Sequence, residues 1–234
     1  MTIYKKSVYC VNCEDCNRKS DLFKLLTPQE ILILNADRFE VQFKPGENIA
    51  KQGTNLTHIV NLTSGLAKVY IEGINNRNLL LDLTGTNTII AGPGVFTDQR
   101  YHFSITALEH SSVCFINAEN FKKVINSNTA FTAKFLEYLN KKQSFLYDKL
   151  ISLTQKQMHG KIADALIYLS EKIYKSQDFD LTISRQDLAD MTALSKDSAI
   201  RILKELEKDG IIKIGGRRIT IPGMDALKEI SAKG

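Results

Sequence analysis

Between residues 39 and 116 the apolar positions fall in short β-rich bursts: FEVQF, HIVNL, AKVYI, RNLLLDL, TII, FSITAL and SVCFI. Pro45-Gly46, Gly53, Ser64-Gly65, Gly73 with Asn75-Asn76, Gly85 and Gly92-Pro93-Gly94 part them. Short strands at turn-punctuated intervals predict an antiparallel sandwich or jelly roll. On either side the pattern is helical. Residues 17–38 read as helix, and Thr27-Pro28-Gln29-Glu30 within them supplies an N-cap, a proline at N1 and a Glu at N3, so that 21–26 becomes a separate short helix. Helix returns at Ala118, and from Thr129 a long amphipathic helix runs to about residue 157. Along it Leu136, Leu139, Gln143, Leu146, Leu150 and Leu153 alternate in steps of three and four, a heptad seam with one polar position. Such a helix could pack on its own domain. Five leucines and one glutamine on a narrow stripe fit a two-stranded parallel coiled coil better, because a lone polar core residue fixes register and partner number. A homodimer is expected. Residues 161–174 form a further helix with Ile162, Leu166 and Leu169 inward, 175–180 a short loop, and 223–233 a terminal helix.

Residues 183–221, ISRQDLADMTALSKDSAIRILKELEKDGIIKIGGRRITI, carry the most informative pattern. They read as a helix (185–191), a turn (192–194), a second helix (195–208) and two short strands joined at Gly215-Gly216. Leu188 and Met191 in the first helix, and Ile202, Leu203 and Leu206 in the second, bury one face of each. Ser195 is a good N-cap. Lys196, Asp197, Ser198 and Arg201 then lie on the outer face of the second helix, and Arg217 and Arg218 at the hairpin tip would sit over phosphate. This is the design of a winged helix-turn-helix, whose second helix offers its N-terminal side chains to base edges in the major groove. A plain helical hairpin would not explain a basic, polar outer face followed at once by an Arg-tipped hairpin. The turn holds Ala193 where glycine is usual, so a non-glycine residue is expected at positive φ. With Arg185 and Gln186 at the start of the first helix, the DNA-facing set is Arg185, Gln186, Ser195, Lys196, Asp197, Ser198, Arg201, Arg217 and Arg218.

Composition narrows the setting. The 234 residues are 43% apolar, enough for real cores in one large domain or two ordinary ones. No apolar run approaches the length of a membrane helix, and MTIYKKSVYC lacks a signal peptide's apolar core, so a cytoplasmic protein with no membrane partner is expected. The net charge of +5 calls for a local basic patch rather than a general affinity for polyanions. Of four cysteines, Cys10, Cys13 and Cys16 fall within seven residues and Cys114 lies far away. In a reducing compartment such clustering points to a metal or redox site sooner than to disulfides. Cys114 lies in an apolar strand run, where a cysteine is usually a small buried hydrophobe. His58, His102, His110 and His159 show no paired ligand spacing.

The order of parts, with SRQDLADMTALSKDSAIRILKELEKDGII, FKPGENIAKQGT and NLTSGLAKVY, resembles the CRP/FNR family of bacterial transcription regulators over essentially the whole chain. The resemblance implies an α+β fold: an N-terminal antiparallel β-roll of the cyclic-nucleotide-binding kind, a long dimerisation helix and a C-terminal winged helix-turn-helix. The expected divisions are 1–20 (the cysteine-containing segment), 21–128 (the roll, as sensor), 129–157 (the dimerisation helix) and 158–234 (the DNA-binding domain). It further implies a homodimer on palindromic double-stranded DNA, with RNA polymerase as a partner. In that family the recognition helix reads Arg-Glu or Val-Glu before Thr, then an Arg four residues after the Glu. Here Lys196, Asp197, Ser198 and Arg201 hold those places, so Arg201 would contact guanine as a bidentate donor. Asp197 is one methylene shorter than the usual Glu.

Members that bind cyclic AMP carry Gly-Glu-Leu and then an Arg followed by small residues. Here Gly94 precedes Val95-Phe96, and Arg100 precedes Tyr101-His102-Phe103, which argues against cyclic AMP. Cys10, Cys13 and Cys16 form C-x2-C-x2-C, an opening spacing of ferredoxin clusters, and with Cys114 they make four sulfur ligands similar to those of oxygen-sensing FNR-type regulators. Those regulators place more residues between the second and third cysteines. A 4Fe–4S cluster is therefore one candidate, beside zinc, a thiol switch or no metal at all. Two other functions remain open: a regulatory module acting on a protein partner, and a metal-dependent cupin-like enzyme. The second would need a clustered His-x-His that the roll does not have.

Overall fold

A computed structural model describes residues 20–234. Cys10, Cys13 and Cys16 lie outside the described residues. Ser20 caps a 3-10 turn, Asp21–Leu25, and Thr27 caps helix α1, Pro28–Asn35. The Thr27 cap is complete in both directions: Glu30 N–H donates to Thr27 Oγ1 at 3.3 Å and Thr27 N–H to Glu30 Oε2 at 2.8 Å. The helix ends at Asn35, short of the expected 38, because the chain turns through Asp37 at φ 60°.

Eight strands follow: β1 (Phe39–Phe43), β2 (Asn48–Ala50), β3 (His58–Ser64), β4 (Ala67–Glu72), β5 (Asn78–Thr84), β6 (Thr88–Ile90), β7 (Ser104–Ala107) and β8 (Ser111–Asn117). Every burst read from the sequence is a strand. β2, Asn48–Ala50, holds one β-branched residue and leaves no burst to read. The strands form two antiparallel sheets, β1-β8-β3-β6 and β2-β7-β4-β5, that face each other as a roll. Ile59, Leu62, Ile105, Val113 and Ile116 fill it, with no exposure above 0%. The β3–β4 turn needs glycine at residue 65: φ is +93°, and a Cβ there would lie 2.3 Å from Ser111 Oγ.

Helix α2 (Ala118–Ser127) leads to the 27-residue helix α3 (Thr129–Gln155). One face of α3 packs on the rest of the chain. Phe131 and Phe135 pack edge-on against Phe121, Tyr138 donates to the Ile89 carbonyl at 2.6 Å, and Phe145 lies against Tyr168.

The C-terminal third comprises α4 (Met158–Tyr168) with a π-helical continuation (Leu169–Tyr174), β9 (Asp178–Asp180), α5 (Arg185–Thr192), α6 (Lys196–Lys208), β10 (Lys213–Gly215), β11 (Arg218–Thr220) and α7 (Met224–Lys233). Residues 175–180, expected to be a loop, contribute β9, which pairs with β11 and makes the wing a three-stranded sheet, β10-β11-β9. The correction has a simple cause: β9 is a three-residue strand with one buried side chain, Phe179, and shows no alternation to read. This domain packs on the outer face of the β2-β7-β4-β5 sheet. Leu66, Leu80 and Leu83 join its core, the Lys68 ammonium meets Asp187 at 2.5 Å, and Tyr168 Oη donates to Asp82 at 2.7 Å.

Candidate nucleic-acid interface

Two N-caps set the angle between α5 and α6. Ser184 and Asp187 form a capping box at α5, and Ser195 Oγ accepts the Ser198 N–H at 3.1 Å to start α6. Between them the turn passes through Ala193 at φ 52°, the left-handed conformation expected there. Inward, Ala199, Ile202, Leu203 and Leu206 of α6 close on Leu188, Ala189 and Met191 of α5 and on Ile162 and Leu166 of α4.

That packing turns Lys196, Asp197 and Arg201 to solvent, with Ser195 exposed at the helix start and Ser198 half-buried beside it. Ser195 and Ser198 are also joined to each other, at 2.9 Å between hydroxyls. The Arg201 guanidinium is engaged within the domain: Nη1 donates to Glu205 Oε1 at 2.9 Å and Nη2 approaches Met158 Sδ at 3.9 Å. The other Glu205 oxygen meets His159 Nε2 at 2.7 Å. His159 and Arg201 together hold the Glu205 carboxyl below its ordinary pKa. Neither Glu205 nor His159 stood out in the sequence, since their pairing spans two helices.

The remaining predicted residues divide. Gln186 is exposed and donates to Asp190 at 2.8 Å. Arg185 is half-buried and reaches across to the Gly216 carbonyl at 3.1 Å, binding the start of α5 to the wing. Burial lowers its pKa. Arg217 sits in the wing's turn with Nε on the Leu181 carbonyl at 2.9 Å. Arg218 is not at the tip. It begins β11 and forms a two-nitrogen contact with Asp178 of β9, with Nε to Oδ1 at 2.8 Å and Nη2 to Oδ2. An unrecognised strand supplied its partner.

The seam on α3 is split in a similar way. Leu136 and Leu150 are 53% and 54% exposed, and Gln143 between them is exposed and donates to Tyr147 Oη. Tyr147, four residues beyond Gln143 and itself 55% exposed, belongs to this stripe although the sequence reading left it out. Leu139, Leu146 and Leu153 are half-buried; Leu139 packs on the core of the roll and Leu153 lines a cleft facing the winged domain.

Within the roll, the stretch from Gly92 to Phe103 is packed by its own side chains. Tyr101 is buried, donates to the His58 carbonyl at 2.5 Å, and has its hydroxyl pKa pushed up to about 12 by burial. Arg100 Nη1 is held by the Gly53 carbonyl at 2.8 Å, and the Phe103 ring fills the space over Gly92. Cys114 is buried in β8, in register with Glu40 on one side and Asn61 on the other. Its setting is more polar than the sequence suggested, because Arg38 Nη1 donates to Cys114 Sγ at 3.2 Å. Among the described residues there is no group of three or more metal-ligating side chains, and no helix is long and apolar enough to cross a membrane.

Comparison with known proteins agrees with this geometry. Residues 40–128 match the cyclic nucleotide-binding domain and residues 160–230 the Crp-like helix-turn-helix domain. The chain is 25% identical over 235 residues to the fumarate and nitrate reduction regulatory protein of Escherichia coli (strain K12), a match covering 94% of this chain and 90% of that one. It is 24% identical to the fumarate nitrate reduction regulatory protein of Klebsiella oxytoca, over 95% and 91% of the two chains. Among solved structures it resembles FixK2 from Bradyrhizobium japonicum (TM-score 0.75, 16% identity, 82% of this chain and 96% of that one). It also resembles the c-di-GMP responsive global regulator CLP of Xanthomonas campestris (TM-score 0.70, 20% identity, 83% and 99%).

Proposed function

The chain belongs to the CRP/FNR family of DNA-binding transcription regulators, and from that premise we propose that it acts in the cytoplasm as a parallel homodimer that reads a palindromic site, with RNA polymerase as its partner. Family membership removes both the cupin-like enzyme and the module without a DNA-binding role. The observation that carries the reading is the outward N-terminal face of α6, where Lys196, Asp197 and Arg201 stand exposed beside the wing. The α3 stripe of Leu136, Gln143, Tyr147 and Leu150 supports the dimer, because four such side chains in steps of seven, four and three share one helix face and are otherwise left to solvent. Two recognition helices on a two-fold axis would address half-sites one helical turn apart.

Arg201→Ala is the direct test. A bidentate arginine–guanine contact contributes about 1–3 kcal/mol of base discrimination, so operator binding should weaken about tenfold or more, with non-specific binding less affected and sedimentation still showing a dimer. Unchanged operator binding in an intact dimer would remove Arg201 from the recognition surface.

For the signal, the filled loop around Tyr101, Arg100 and Phe103 supports an effector other than cyclic AMP. A second reading is favoured by the Arg38 hydrogen bond to Cys114, since a neighbouring guanidinium favours the thiolate that a metal requires. Cys114 fits as one sulfur ligand; Cys10, Cys13 and Cys16 would supply the others. With a 4Fe–4S cluster bound, the site would respond to oxygen or redox state. Iron and acid-labile sulfide in near-equal amounts in protein purified without oxygen, with colour that air bleaches, is the expected result. Colourless protein lacking both would end this reading.

A further inference from the structure

Between the roll, α3 and the C-terminal domain lies a cleft of about 910 Å³. It meets the usual description of a small-molecule site in size and in position between domains. Its wall combines apolar surface from Phe145, Ile151 and Ile167 with six lysines against four carboxylates. Most of those charges are already matched: Lys142 meets Asp82, Lys156 meets Asp164 at 2.8 Å, and Glu171 meets Lys228 at 2.9 Å.

Lys149, Lys161, Lys172 and Asp148 have no ion pair among the described residues, and of these Lys149 is the one that reaches the β5 backbone at the base of the cleft. Its Nζ has only the Leu81 carbonyl, at 3.4 Å, and no carboxylate within ion-pair distance among the described residues. A half-buried ammonium with one long neutral acceptor is poorly compensated for the water it has lost. Burial accordingly lowers its pKa to about 8, against a smaller opposing pull from Asp82. The other ionisable groups that line the cleft near it are Asp82 from β5, Tyr138, Lys142 and Asp148 from its own helix, and Tyr168 from α4. Burial is the first cause raising both tyrosine hydroxyls well above their ordinary range, with the Asp82 charge adding to it. Neither competes with Lys149 as an anion.

We propose that this cleft binds a small organic anion, whose phosphate or carboxylate pairs with Lys149 and whose apolar or aromatic body lies against Phe145 and Ile167. The proposal rests on the reading of the chain as an effector-controlled DNA-binding regulator. It places the effector outside the roll's own interior, at a junction touched by the roll, α3 and the C-terminal domain. A ligand held there by α3, by β5 and by α4 discriminates between relative placements of those parts, which is what an effector of DNA binding must do.

The test uses the full chain and phenyl phosphate as probe, with inorganic phosphate for comparison. Calorimetry should show phenyl phosphate binding more tightly than phosphate. Lys149→Met, which keeps the length and removes the charge, should weaken it at least about tenfold, in line with the loss of a charged hydrogen bond. Lys233→Met, on an exposed helix end, should change nothing. Near pH 8.5 (about half a unit above the Lys149 pKa), wild-type binding should take up a proton, seen as a dependence of heat on buffer ionisation that disappears in Lys149→Met. Absence of binding by calorimetry and by thermal shift, equal affinity in Lys149→Met, or no proton uptake would each overturn the proposal. These readouts involve no DNA, so they separate from the outcome of Arg201→Ala. Operator affinity that shifts with phenyl phosphate in the wild type and not in Lys149→Met would join the two.

Discussion

Arg201 and Glu205 show how the side chain proposed to read the base is held within its own domain. One Arg201 terminal nitrogen lies on Glu205, a turn further along α6, and the other near Met158 of α4, so the guanidinium must leave this arrangement to read a base. Both partners are about half exposed, and such pairs contribute little. Glu205→Gln should therefore tighten operator binding by no more than about fivefold; fluorescence anisotropy would measure it, and weaker binding would show instead that Glu205 orients Arg201 productively. The Ala193 backbone gives a second outcome at this scale. The residue is exposed at φ 52°, and Ala193→Gly should stabilise the winged domain by about 0.5–1 kcal/mol, since the relief of left-handed strain exceeds the added freedom of the unfolded chain. A rise in melting temperature checks it. At this scale the sequence showed Arg201 and Ala193, because each follows from a local spacing. It could not show Glu205 with His159, 46 residues apart, or Arg218 with Asp178, 40 residues apart.

At the scale of elements, α3 was legible in length and place but only half legible in orientation. Heptad spacing identifies a stripe and does not say which edge of it the roll will cover. The aromatic face of Phe131, Phe135 and Tyr138 wins that contest and draws Leu139 along with it, leaving Leu136, Gln143, Tyr147 and Leu150 outward. The two edges should fail differently. Leu150→Asp removes an apolar side chain from each of two subunits, together about 3 kcal/mol or more, so dimerisation should weaken about a hundredfold with the melting of the roll little changed. Leu139→Asp should lower the melting temperature of the roll itself. Sedimentation equilibrium and calorimetry separate the two. Seven of the roll's strands were legible as β-rich bursts between turn residues, the three-residue β6 among them because Thr88, Ile89 and Ile90 are all β-branched. The equally short β2 and β9 were not, because NIA and DFD each offer a single strong β-former.

Across the whole molecule, the placement of the winged domain on the roll depends on a few buried polar contacts. Burial works against the Asp187 carboxylate, but Lys68 and the Ser184 cap more than offset it and leave its pKa lowered. A group with a depressed folded pKa contributes stability above its unfolded value, 3.8, and that contribution is lost as pH falls through the folded value. Docking should therefore hold at neutral pH and loosen below about pH 4, while Asp187→Asn should give a loosened arrangement already at pH 7. Distances between spin labels on the roll and on α7 would report it, and identical distance distributions in wild type and variant would show that Lys68 and Asp187 do not maintain the placement. Neither residue was legible, because the contact exists only once two separately folded cores have met.

The third strand of the wing enters the chain before the two helices it serves. The reading head is therefore interleaved, not appended. A chimera that exchanges recognition helices between relatives by cutting at 181–184 would separate β9 from β11 and take Asp178 away from Arg218. Heads can be traded whole only at a joint upstream of residue 178, so β9 sets the boundary that any transfer of DNA specificity between relatives has to respect.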